Sequence, residues 1–111
     1  MTNETMPRVV DEYFDLMDGD NKLATVDLFA PDAQVIDNGT TYHGHEEITR
    51  WLRGEASEYT TTSRRLSAER TDHTVVVVIR VEGNFPGGLV DLRIEFLLDS
   101  ADRISELTIT S

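Results

Sequence analysis

The chain has 111 residues, 39% hydrophobic and 28% charged, which suits one domain with a real core and excludes a disordered or fibrous class. Asp and Glu number 21 against 10 Lys and Arg, for a net charge of −11. Phosphate polyanions and anionic membranes would be repelled, and no basic stripe offsets that. There is no cysteine, so disulfides, thiolate metal sites and cysteine nucleophiles are excluded.

Met1 to Pro7 has neither a basic start nor an apolar stretch, so no secretory signal is read there and the expected compartment is the cytoplasm. Pro7 suits a first helical turn with Thr5 as cap, and Val9, Val10, Tyr13, Phe14 and Met17 fall on one helical face. Gly19 closes that helix. Lys22, the single lysine, precedes Leu23, Val26, Leu28 and Phe29, read as a short second helix stopped at Ala30-Pro31-Asp32. Ala33–Asp37 reads as a strand, Asn38-Gly39 as a hairpin turn, and Thr40–His43 as the returning strand. Gly44 breaks it, and a third helix opens at His45-Glu46-Glu47, burying Ile48, Trp51 and Leu52.

From Tyr59 onward the chain is β in character. Strands are expected over Tyr59–Thr71, Thr74–Gly83, Leu89–Leu98 and Ile104–Thr110. The longest apolar run, Val75–Ile79, falls in one of them and is far short of the roughly 18 residues that span a bilayer. In Leu89–Leu98 the apolar Val90, Leu92, Ile94, Phe96 and Leu98 alternate with Asp91, Arg93 and Glu95, the mark of a two-faced sheet. The order α-α-β-β-α-β-β-β-β describes an α+β fold, a curved mixed or antiparallel sheet of about six strands wrapped around helices.

Several segments carry a resemblance. Tyr13, the turn Leu28-Phe29-Ala30-Pro31-Asp32-Ala33, the strand Val35-Ile36-Asp37 and the segment Tyr42-His43-Gly44-His45-Glu46-Glu47-Ile48 resemble the SnoaL-like branch of the nuclear transport factor 2-like superfamily. The closing Phe96, Arg103-Ile104 and Leu107-Thr108-Ile109 are similar to its last hairpin. The resemblance implies a cone of curved sheet, an α+β barrel closed by three helices, with an apolar pocket inside and a dimer through the outer sheet face. The family holds isomerases, cyclases, hydrolases and dehydratases beside non-catalytic binding domains, so the fold does not settle the activity.

Asp37 follows Ala33 and Val35 at alternate positions of its strand, so its side chain is expected on their apolar side. A carboxylate there has its charged form disfavoured, the condition for a base near neutrality. The resemblance places the base aspartate of ketosteroid isomerases at this position and an oxyanion-binding tyrosine at Tyr13. Asp37 could equally serve its Asp-Asn-Gly turn, and Tyr13 could equally be a core residue. The second acidic donor of such isomerases has no counterpart on the Val90-Leu92-Ile94-Phe96 face. Asp91, Arg93 and Glu95 would resemble the acid–arginine arrangement of the family's epoxide hydrolases if they lined the pocket; the alternation instead assigns them to the surface or a dimer contact. His43 is a second acid–base candidate at the pocket. His43 and His45 flank the strand-to-helix break and do not form a metal template, and neither metal nor cofactor is expected.

Two functions follow. In the first, Tyr13, Phe14, Met17, Val35, Trp51, Leu92 and Phe96 form a pocket for an apolar, cyclic or polyketide-like ligand, with Asp37 as base toward a carbon acid and Tyr13 steadying the enolate. In the second the protein is a non-catalytic binding or dimerisation module. Val76 and Val78 lie opposite Val75, Val77 and Ile79, so the outer face of that strand is also apolar in part; an isologous homodimer is expected to cover it.

Overall fold

Pro7, at φ −55° and ψ 141°, leads the chain into helix α1, Arg8–Met17; the computed structural model describes residues 6–111. Thr5, expected as its cap, lies outside the described residues. The helix buries Val9, Val10 and Tyr13 and packs Phe14 and Met17 against the core, as the apolar spacing requires. A 3-10 helix, Lys22–Leu28, follows.

The second helix is therefore 3-10 in form, and Ala30-Pro31-Asp32 does not end it. Strand β1 runs from Phe29 to Asp37 and includes Pro31. A proline is tolerated there because β2, Thr40–His43, pairs only with Gln34–Asp37, and the register to β6 slips between Phe29 and Gln34. Pro31 thus owes the ladder no N–H. Asn38 and Gly39 connect β1 to β2 with φ of 47° and 92°, the left-handed pair that a two-residue hairpin turn needs.

Helix α2, Gly44–Arg53, buries Ile48, Trp51 and Leu52. Gly44 enters it at φ 82°, where a β-carbon is disfavoured. A short 3-10 turn, Glu55–Ser57, leads to three long strands: β3 Thr61–Thr71, β4 Thr74–Gly83 and β5 Leu89–Leu98. Strand β6, Ile104–Thr110, completes one six-stranded sheet of order β2-β1-β6-β5-β4-β3. All neighbours are antiparallel except β1 and β6, which are parallel.

The sheet is curved and open, with β2 and β3 as its edges. Its inner face supplies the core: Val35, Leu107, Phe96 and Val75 form one row of cross-strand partners, and each is fully buried. Helices α1 and α2 bring Val10 and Leu52 into the same core. On the outer face Arg80 holds Asp91 through two contacts of 2.9 and 3.2 Å, and Arg93 meets Glu95 at 3.2 Å. Val76 and Val78 stand half-buried between them. No described helix is long and apolar enough to cross a membrane.

Candidate functional site

Tyr13, Phe14, Met17, Asp37, Trp51 and Leu92 line one cavity of about 170 Å³ between α1, α2 and the concave sheet. The volume is below the ~300–1,000 Å³ usual for small-molecule pockets, and near that of engineered cavities that hold a single aromatic ring. Ile79, Val81, Ile94 and Ile109 complete its apolar wall from β4, β5 and β6.

Asp37 reaches this cavity because it ends β1 on the inner face, opposite Thr40 of β2 and beside Ile109 of β6. The indole Nε1 of Trp51 donates to its Oδ2 at 3.0 Å. Its Oδ1 accepts no hydrogen bond among the described residues. Burial raises the carboxyl pKa above its ordinary value; the Trp51 hydrogen bond opposes the rise, and the charge of Glu55 adds to it. The three effects are ordinary in kind. Their sum is a carboxylate held in one orientation and more basic than a free one.

Trp51 is itself steadied. Its ring lies against Tyr42, centroids 6.3 Å apart, and the Tyr42 hydroxyl donates to Glu55 Oε2 at 2.7 Å. That hydrogen bond is the main reason the Tyr42 pKa is pushed up to about 12.

Tyr13 is 2% exposed, with its ring edge-on to Phe14 and Phe96, both at 5.2 Å. Its hydroxyl has no hydrogen-bond partner among the described residues, yet no buried side-chain polar atom is left unsatisfied. The oxygen is therefore open to the cavity. Burial, then the charges of Asp37 and Asp18, push its pKa well above the usual tyrosine value. It remains a neutral O–H, a donor on the lining of the cavity.

Val35 and Phe96, expected on the wall, are fully buried behind it. Phe96 supports the rings of Tyr13 and Phe14. His43 is a correction: it is exposed. The two-residue turn pairs Asp37 with Thr40 and hence Gln34 with His43, which puts His43 on the outer side of the sheet while Tyr42 shares the inner side with Val35. Counting back from Asn38-Gly39 would have shown this. Asp91 and Arg93 are exposed on the outer face and Glu95 is half-exposed there, as the alternation predicted. Among the described residues no group of three or more His, Cys, Asp and Glu could hold a metal.

Sequence reasoning missed the polar end of the cavity. Asp18, Lys22, Thr61 and Ser63 line it, with the Ser63 hydroxyl between the two Asp18 carboxylate oxygens at 3.0 and 2.8 Å. Asp18 follows the last turn of α1 and is its C-cap, so the apolar period of that helix carries no signal for it.

The SnoaL-like domain model matches residues 10–103. No curated protein sequence matches significantly. Among solved structures, a proposed polyketide cyclase of Sinorhizobium meliloti is 30% identical, with a TM-score of 0.86 and coverage of 95% of each chain. A Catenulispora acidiphila protein with a ketosteroid isomerase-like fold is 21% identical at a TM-score of 0.84, over 96% of this chain and 87% of that one. SalBIII, an epoxide hydrolase/cyclase-like enzyme in pyran ring formation in the polyether salinomycin, is 18% identical at a TM-score of 0.75, over 92% and 86%. The last two likenesses concern the fold alone.

Proposed function

The chain belongs to the SnoaL-like family, and on that premise we propose that its cavity binds a small, mostly apolar carbonyl compound. Asp37 Oδ1 takes a proton from the carbon beside the carbonyl, while Tyr13 donates its O–H to the carbonyl oxygen. The negative charge that develops on that oxygen meets a donor already in place, which costs no reorganisation. The enolate is then reprotonated at the γ-carbon, where the ligand is a β,γ-unsaturated ketone, or attacks a second carbonyl of the same molecule and closes a ring. Asp37 returns its proton in the first case; in the second the new alkoxide takes it.

One observation carries this reading: a raised-pKa carboxylate and a tyrosine whose hydroxyl has no hydrogen-bond partner among the described residues line the same apolar cavity. The likeness to the proposed polyketide cyclase supports the reaction class. The cavity volume favours one ring over a fused polycyclic ligand, unless the rest of the ligand lies outside. Exchange of ring-ketone α-protons for deuterium, followed by NMR, tests it. Asp37→Asn should slow exchange by about a hundredfold or more, the scale of general-base catalysis, while ligand affinity stays within a few fold because the amide preserves shape. Wild-type protein that binds such ketones without accelerating exchange would leave the non-catalytic binding module as the function. The outer sheet face is part of the proposal too: half-buried Val76 and Val78 are covered by a second copy of the chain.

A further inference from the structure

Lys22 is the single lysine in a chain with 21 acids, and its placement is unlike that of a surface charge. Its side chain is half-buried. Its ammonium donates to the Ala56 carbonyl at 3.3 Å and makes no ion pair among the described residues. Three donors are available on an ammonium, and one is used. A partly desolvated cation without a counter-charge is costly.

Lys22 also stands at a seam. The apolar cavity of about 170 Å³ shares Asp18, Lys22 and Thr61 with a larger and more polar one of about 390 Å³. Asp20, Asn21, Arg53, Ser57 and Tyr59 line this second space, and Arg53 is exposed and likewise has no ion-pair partner among the described residues. Asp18 lies on the seam as well. Its carboxylate accepts the Ser63 hydroxyl, and it makes no ion pair with Lys22 among the described residues.

We infer that the ligand carries a carboxylate, bound by Lys22 at the seam while its ring occupies the inner cavity between Tyr13 and Asp37. This rests on the cavity being the ligand site proposed above and adds the chemical class of ligand to it. A point charge on a flexible stem suits a single carboxylate oxygen. The long-range repulsion of a −11 chain is screened beyond ~8 Å at physiological salt, so the local balance sets Lys22 and Arg53 against Asp18 and Asp20, which line the same space.

The test measures binding of phenylacetate and its neutral primary amide, by calorimetry or NMR, to the wild type, Lys22→Met and Lys22→Arg. The wild type should bind the carboxylate about tenfold more tightly than the amide, the lower end for a charge-assisted hydrogen bond. Lys22→Met should erase that preference while leaving the amide affinity unchanged, and Lys22→Arg should restore most of it. Equal affinities for the two probes in the wild type overturn the inference and leave the cavity reading standing. Equal weakening of both probes in Lys22→Met also overturns it, because the lysine then serves only the Ala56 tie. Binding of neither probe overturns the cavity reading and this inference with it.

Discussion

Asp37 is where burial and hydrogen bonding oppose each other most directly. Burial dominates, so its folded-state pKa lies above that of the unfolded chain, and the ionised carboxylate costs stability at neutral pH. Below the ordinary carboxylate pKa the residue is protonated in both states and the cost vanishes; above the raised folded-state pKa it is fully present. Asp37→Asn keeps an acceptor for Trp51 and removes the charge. Thermal melting should therefore place the variant above the parent at about pH 8, with the gap closing toward about pH 3. A gap that widens on acidification would mean that the Trp51 hydrogen bond, and not burial, rules this residue.

Gly44 shows how one backbone angle sets an element. It begins α2 at φ 82°, and a β-carbon placed there would meet nothing within 4 Å. The cost of Gly44→Ala is thus one of conformation and not of contact, about 1–2 kcal/mol. Urea denaturation should show that loss with an unchanged m-value. A variant as stable as the parent would show that the helix can start otherwise. Local signals of this kind made much of the fold legible: the Asn38-Gly39 turn, the helical face from Val9 to Met17, and the alternation of Leu89–Leu98 all stand as the residues suggest. Two features were not legible. Pro31 reads as a stop, because its tolerance within β1 depends on β2 pairing only with Gln34–Asp37. The parallel pairing of β1 with β6 joins distant segments, about which a local pattern says nothing. The same limit governed the site. Asp37 and Tyr13 could be placed from their own elements, whereas Phe96, expected on the wall, lies in the core against Tyr13 and Phe14, which come from the far end of the chain.

At the scale of the molecule, the helices cover one face of the sheet and leave the other to Arg80, Asp91, Arg93, Glu95 and the half-buried valines. The ion pairs on this face close within the chain, so an isologous contact would draw mainly on apolar and shape complementarity. A stable one buries roughly 1,200 Å² or more. Sedimentation at micromolar concentration should give a dimer that tightens as salt screens the acidic surfaces, and Val76→Asp should yield a folded monomer with its cavity intact. A wild-type monomer under the same conditions would remove the dimer. The parallel β1–β6 pairing has a consequence in time. Phe29 pairs with Ile104, a separation of about 75 residues that makes its closure slow in entropic terms. On the ribosome β1 must wait for β6, and Asp37 has no Ile109 beside it until then. The cavity is assembled only once β6 has been made, so a nascent chain halted before β6 carries Tyr13, Lys22 and Asp37 without the wall that Ile109 completes.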